Sequence, residues 1–166
     1  MTKTIHVTEQ WLRKHGACSD GREWVISHYP DGVDILELVD ALYGVRRDWA
    51  AWLVNRWPSA PVALVEKLAG DGDRRVRCAI AKRPRLSAVL VKQLAGDKYR
   101  GVRRAIARHP RLSAALIEKL AGDENWFVRR AIAKRPRLSA ALVEKLAGDE
   151  DWLVRRVIAE RKAVTA

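Results

Sequence analysis

The sequence predicts an all-α protein built from repeated pairs of short helices. The string LAGD begins at four leucines that lie 26 residues apart, Leu68, Leu94, Leu120 and Leu146. Each surrounding segment starts with a proline and carries apolar residues at helical spacing. A fixed period of this order is typical of repeat proteins, so four 26-residue repeats are expected. Their ranges are 58–83, 84–109, 110–135 and 136–161, followed by a tail over 162–166.

Two short helices are expected within each repeat, as residues 110–135 illustrate. Ser113 is predicted to cap the first helix, and Gly122 to end it in the left-handed conformation. Asp123 is predicted to cap the second helix, and Pro136 to end it. The apolar faces consist of Leu112, Leu116 and Leu120 on the first helix, and Val128, Ala131 and Ile132 on the second. Such short helices are marginal alone, so neighbouring repeats must stack to bury these faces.

The pattern P-x-L-S-x-x-L-x-x-x-L-A-G-D-x-x-x-x-V-R-x-A-I-A resembles the leucine-rich repeat variant family, within the wider HEAT-like superfamily. This resemblance implies a right-handed α-solenoid of paired helices, one of which can be 3₁₀. Relatives carry an N-terminal iron–sulfur segment with clustered cysteines. This chain has one cysteine, Cys18, before residue 58. No cofactor is therefore expected.

The resemblance also implies a structural ladder, because HEAT-like repeats use an Asp and an Arg six residues apart to link neighbours by hydrogen bonds. The matching pairs are Asp71/Arg77, Asp97/Arg103, Asp123/Arg129 and Asp149/Arg155. Charge-assisted bonds at a helix start are physically reasonable. The four arginines are therefore expected to stabilise the fold, and not to bind a ligand.

Residues 1–57 differ from the repeats and are predicted to form a helical cap with a tryptophan-rich core. Five of the seven tryptophans lie here, and solenoids need atypical ends that cover the terminal core. Helices are expected over Thr8–His15, Asp20–His28, Asp34–Tyr43 and Arg46–Trp57, the last being a half-repeat, with Asp20 and Glu23 as a capping box. The string WLRKHGACSDGREW, followed by DWAAWL, resembles a module of uncharacterised bacterial and phage proteins. His15, Cys18 and His28 lack a convincing fourth ligand, so no metal site is expected.

The positive charge is concentrated in the repeats. Residues 1–57 carry 7 basic and 8 acidic side chains, whereas residues 58–166 carry 25 and 12. The four repeats have net charges of +3, +6, +3 and 0, so the middle is the expected contact zone. The predicted binding residues on the second helices are Arg104, Arg108, Arg130, Lys134 and Arg156, which lie away from the apolar stripe. The HEAT-like resemblance places these helices on the concave side.

A second basic row follows the helix ends and has two interpretations. It consists of Arg83, Arg85, His109, Arg111, Arg135 and Arg137. These side chains either form a contact surface or are solvated residues that cap helix C-termini.

Trp126 and Trp152 complete the predicted binding set. Arg74 and Arg100 occupy the same position in the first two repeats, so the position is not expected to be deep core. Exposed tryptophan and arginine are favoured at protein interfaces. The two tryptophans either flank the binding face or shield the C-terminal end of the repeats, and the sequence leaves both alternatives open.

Composition and motifs favour a binding protein over an enzyme. The sequence has no phosphate loop, GxSxG or HExxH motif. The favoured function is a protein–protein adaptor or inhibitor with an acidic partner, and the alternative is nucleic-acid binding through the same Arg/Lys residues. We expect a monomer without a membrane partner. A cytoplasmic location is expected, because there is no apolar leader and no disulfide framework.

Overall fold

The computed structural model describes residues 5–165, with side chains up to Arg161. Most of these residues are helical, which confirms the predicted helical class. The chain divides into two compact units, Met1–Ile80 and Ala81–Ala166. None of the helices in the described part is long and apolar enough to cross a membrane.

The N-terminal unit begins with a short β ribbon, which the sequence analysis did not predict. Strand β1 (His6–Val7) pairs antiparallel with β2 (Val33–Asp34). The helices are α1 (Glu9–Lys14), α2 (Ser19–His28), α3 (Ile35–Val45), α4 (Arg47–Arg56), α5 (Val62–Ala69) and α6 (Arg74–Ala81), the last of which reaches the boundary between the units. Two-residue strands are too short to show the alternating pattern that identifies a strand in a sequence.

Gly32 holds the ribbon together through its backbone conformation. Its φ is +88°, which is the left-handed region that favours glycine. A Cβ at this position would lie 2.6 Å from His6 Nε2 and 2.9 Å from the Val7 carbonyl oxygen. Any side chain here would therefore push the two strands apart.

The C-terminal unit contains three further helix pairs. They are α7 (Ala88–Leu94) with α8 (Arg100–Ala107), α9 (Ala114–Ala121) with α10 (Trp126–Ala133), and α11 (Ala140–Ala147) with α12 (Trp152–Thr165). First helices start at residues 88, 114 and 140, and second helices at 100, 126 and 152, which are the intervals of the sequence period.

Serine caps start the first helices of the C-terminal unit. The hydroxyls of Ser87, Ser113 and Ser139 each accept a hydrogen bond from the backbone N–H three residues later, at 3.3 Å. This confirms Ser113 as an N-cap. Each bond satisfies one of the backbone donors that a helix start leaves unpaired.

Three of the predicted helix ends are wrong. Gly122 has φ −106°, so it is not left-handed, and its N–H bonds the Lys119 carbonyl oxygen at 3.1 Å. Asn125, and not Asp123, caps α10 by accepting from Phe127 N–H at 3.2 Å. Helix α2 starts at Ser19 with Cys18 at the cap position and no side-chain bond, so the Asp20 capping box does not form.

Apolar pairs four residues apart form the core of the C-terminal unit. Val102 and Ile106 of α8, and Val128 and Ile132 of α10, are 0% exposed. Val154 and Ile158 of α12 continue the same pattern and are also buried. Helices α8, α10 and α12 pack in succession.

Candidate binding surface

Arginines of the predicted ladder link consecutive helix pairs in the C-terminal unit. Arg103 donates from Nε and Nη2 to both carboxylate oxygens of Asp123, at 2.7 and 2.9 Å, and from Nη1 to the Asp97 carbonyl oxygen at 2.8 Å. Arg129 makes the same contacts with Asp149, at 2.8 and 2.9 Å, and with the Asp123 carbonyl oxygen at 2.8 Å. Each arginine thus pairs with the carboxylate of an aspartate in the following helix pair. The aspartate six residues before the arginine contributes only its backbone carbonyl oxygen.

The ladder pairs are buried and stabilise the fold. Side chains of Arg103 and Asp123 are 10% and 7% exposed. The hydrogen bonds that Arg103 donates to the Asp123 carboxylate raise the pKa of Arg103 above its usual value, although burial opposes the shift. A fork of two parallel bonds fixes distance and angle together. These arginines are therefore part of the scaffold and not of the binding surface.

In the N-terminal unit a tyrosine supplies the matching contact. Tyr43 of α3 donates its hydroxyl to Asp71 Oδ2 at 2.5 Å. This hydrogen bond to the carboxylate raises the pKa of Tyr43, and burial raises it further. Asp71 is 5% exposed, so its carboxylate needs such a donor. Tyr43 therefore has the role at Asp71 that Arg103 has at Asp123.

Part of the second basic row caps helix C-termini. Arg135 donates from Nη1 to the carbonyl oxygens of Ala107 and His109, at 3.0 and 2.9 Å, at the end of α8. Arg161, which is not a member of this row, makes equivalent contacts: it donates to the Ala133 and Pro136 carbonyl oxygens at 3.3 and 3.0 Å, around the end of α10. Cations here satisfy carbonyl groups that have no intrahelical partner. Arg85, Arg111 and Arg137 of this row are exposed.

On helices α8 and α10, the helical spacing places the predicted binding residues away from the buried valine and isoleucine pairs. Arg108 and Lys134 are exposed, whereas Arg104 and Arg130 are half-buried. The Cζ atom of Arg104 lies 5.3 Å from the centroid of the Phe127 ring. Helices α8 and α10 pack together, which places Arg104 of one helix above an aromatic side chain of the next.

Stacked aromatic rings support the arginines. Trp126 stacks on Phe127 with ring centroids 3.6 Å apart and planes inclined by 21°. Arg100 Cζ lies 5.6 Å from the Phe127 centroid, close to the position of Arg104. Trp126 is half-buried, so much of its surface is used in this stack. Phe127 was not among the binding residues predicted from the sequence, and the matching positions in the other predicted repeats hold Arg75, Gly101 and Leu153.

A similar arrangement occurs on the last helix. Trp152 is 56% exposed, and the Arg156 guanidinium lies 5.2 Å from its ring centroid. Arg156 also contacts Glu160, with its Nε 3.4 Å from the carboxylate. An arginine held over an aromatic face keeps the N–H groups of its edge available for a carboxylate or phosphate. The surface formed by Arg104, Arg108, Arg130, Lys134, Arg156, Trp126, Phe127 and Trp152 is called the arginine–aromatic surface below.

The described residues offer no metal centre, since none of their His, Cys, Asp and Glu side chains form a group of three or more that could hold an ion. Cys18 and Cys78 are not joined in a disulfide.

The comparison with known families concerns the N-terminal segment. Residues 1–59 match the family model of the YdhT N-terminal domain, which leaves residues 60–166 outside the match. This is the segment that the sequence analysis compared with a module of uncharacterised proteins. No curated protein and no solved structure gives a significant match to the chain.

Proposed function

We propose that this chain is a non-catalytic binding module whose arginine–aromatic surface receives an acidic protein partner. The contact between Arg104 and Phe127 carries this proposal. A long, flexible cation loses conformational freedom on binding, and this loss weakens affinity. Because Phe127 already restrains Arg104, less of that freedom remains to be lost when a carboxylate binds.

The proposed scaffold is a right-handed α-solenoid of four repeats, with the arginine–aromatic surface on its concave side. Two observations support the stacking of repeats. The helices of the C-terminal unit start at the intervals of the sequence period. In addition, Arg103 and Arg129 each bind a carboxylate of the following helix pair. Each solenoid repeat contacts its neighbours in this way.

Charge supports an acidic partner. The repeat that contains Arg104 and Arg108 has a net charge of +6, and the next repeat has +3. Arg103 is paired with Asp123, and Arg129 with Asp149, so the charges of these ladder residues cancel. The excess positive charge of the two repeats is therefore carried by other side chains. An uneven positive field steers acidic partners toward one part of the molecule.

The aromatic residues favour a protein over a single-stranded nucleic acid. Base stacking needs open aromatic faces along the basic groove. Here Trp126 and Phe127 stack on each other, and Arg104 covers part of Phe127. Trp152, whose side chain is exposed, is suited to packing in a hydrophobic depression of a protein partner.

A salt titration with two polyanions tests the class of partner. The probes are poly-L-glutamate, which offers carboxylates on a polypeptide, and random-sequence duplex DNA. We expect binding of poly-L-glutamate to persist at about 0.15 M salt, where exposed charges are screened beyond about 8 Å. Binding of DNA should be lost there. Tighter binding of duplex DNA, with a steep fall in log affinity against log salt, would contradict the proposal and favour nucleic acid.

A further inference from the structure

The N-terminal unit contains an apolar cleft that the binding function above does not use. Its volume is about 310 Å³, and the buried side chains of Leu12, Val25, Leu42 and Leu53 form its floor. Trp49 and Trp52 of α4 line it as well. Small-molecule sites in proteins begin at about 300 Å³ and are mostly apolar. The size and lining of this cleft are those of a site for a small ligand.

Gly21 keeps part of this cleft open. It lies in α2 and its φ is not positive, so the backbone does not require glycine there. Glycine inside a helix is destabilising relative to alanine. A Cβ on Gly21 would meet the Trp49 ring at an ordinary 3.9 Å and Cys18 Sγ at a tighter 3.3 Å. A side chain at Gly21 would therefore start between Cys18 and Trp49, both of which line the cleft.

The aromatic walls of the cleft are held in place from outside. Trp11 contacts Trp52 edge to face, with centroids 6.5 Å apart and planes at 88°. The Arg46 guanidinium lies 3.8 Å from the Trp49 ring centroid. Rings fixed in this way present a defined shape, and aromatic ligands pack on them in offset or edge-to-face geometry.

Asp48 is the charged residue of the cleft lining. One of its oxygens lies 3.4 Å from Arg46 Nε, an exposed and long contact. A carboxylate can accept about four hydrogen bonds, so this contact leaves capacity for a ligand cation. An apolar ligand body with one ammonium group would match both the floor and Asp48.

We propose that this cleft binds a small two-ring aromatic amine, with the rings against Trp49 and Trp52 and the ammonium group at Asp48. A dry apolar cavity of about 150 Å³ accepts a single benzene ring. The volume here, about 310 Å³, corresponds to two fused rings. The ligand class therefore follows from volume, aromatic lining and one carboxylate.

The test uses 1-naphthylmethylamine and its acidic counterpart 1-naphthylacetate, titrated by calorimetry into the full chain. The amine should bind about tenfold or more tightly than the acid, because Asp48 attracts one and repels the other. Cys18 provides a second measurement, since it lines the cleft and its side chain is exposed. Bound amine should slow alkylation of Cys18 by iodoacetamide, as followed by mass spectrometry.

Two variants locate the binding. Gly21→Leu should fill the cleft and abolish binding of the amine, and Asp48→Asn should remove the preference for the amine over the acid. Gly44→Leu is the matched control, because Gly44 is also in a helix but a Cβ there meets nothing within 4 Å. Circular dichroism verifies the fold of each variant. The proposal is overturned if neither probe binds, if both bind equally, or if amine binding survives in Gly21→Leu.

Discussion

Arg103 and Asp123 form a two-pronged ion pair between side chains 20 residues apart, with both N···O distances below 3 Å. The same arginine also bonds the Asp97 carbonyl oxygen of its own helix pair. One guanidinium thus links equivalent positions in two consecutive loops, the one between α7 and α8 and the one between α9 and α10. The ion pair thereby joins helix pairs whose second helices, α8 and α10, are only eight residues long.

Substitution of Asp123 should test the ladder. Asp123→Ala is expected to lower the free energy of unfolding by about 3 kcal/mol, because Arg103 would remain buried without its main partner. Glu124→Ala is a close control, since Glu124 contacts the same arginine at 2.8 Å but is 83% exposed. It should cost less than about 1 kcal/mol. Equal losses in urea unfolding would show that the ladder is not the source of stability.

Acid should weaken the fold through Asp149. Burial alone would raise the pKa of Asp149, but hydrogen bonds from Arg129 and the Asp151 N–H lower it below its usual value. A lowered native pKa gives stability above the unfolded value of about 3.9, and this stability is lost as pH falls through the native pKa. Wild type should therefore exceed Asp149→Asn in melting temperature at pH 7, and the gap should close toward pH 2. A gap that persists at pH 2 would refute this explanation.

His109 should contribute a second pH dependence at higher pH. Burial lowers its pKa below the usual value, and the positive charges of Arg111 and Arg135 lower it further. The native state then binds fewer protons than the unfolded chain, so stability is complete above about pH 6.5 and falls below it. His109→Gln should lose less stability than wild type between pH 7.5 and 5. If the free energy of unfolding of wild type does not change over this pH range, the pKa of His109 is not lowered in the native state.

Trp152 should matter for binding and not for folding. It is 56% exposed, so Trp152→Ala removes little buried surface and should leave the melting temperature nearly unchanged. Affinity for an acidic protein should fall more than affinity for duplex DNA, which depends chiefly on phosphate contacts. Val89→Ala is the control, because Val89 is an exposed apolar residue outside the arginine–aromatic surface. An equal effect of the two substitutions would remove Trp152 from the site.

The sequence predicted most helices because repetition makes their signals redundant. Apolar spacing and serine caps recur at the same interval, and Ser113 caps its helix as expected. The role of Asp123 was not predictable from its position alone. Its carboxylate accepts hydrogen bonds from the Arg103 guanidinium and from the backbone N–H of Asn125. The helix cap is therefore supplied by Asn125, whose side chain accepts from the N–H of Phe127. Choosing between two capping residues that lie two positions apart requires knowledge of the neighbouring helix pair.

Features that depend on packing between distant residues were not predictable. Phe127 supports Arg104 from the next helix pair, and a single sequence does not show that contact. The cleft beside Gly21 arises from residues of four helices and a loop, none of which forms a motif. The charge pattern, in contrast, requires only helical spacing, so the arginines could be proposed as binding residues from the sequence, and their role stays a prediction.

Charge reversal tests the central claim most directly. The double variant Arg104→Glu/Arg130→Glu changes the arginine–aromatic surface, and Arg85→Glu/Arg137→Glu changes net charge equally through exposed residues elsewhere. If the circular dichroism spectrum shows that the Arg104→Glu/Arg130→Glu variant is misfolded, the variant Arg108→Glu/Lys134→Glu replaces it. Both of these residues are exposed. Affinity for poly-L-glutamate at about 0.15 M salt should fall strongly in the surface variant, because like charges then face each other, and little in the control. Equal losses in a folded surface variant and its control would show that net charge, and not this surface, binds the partner.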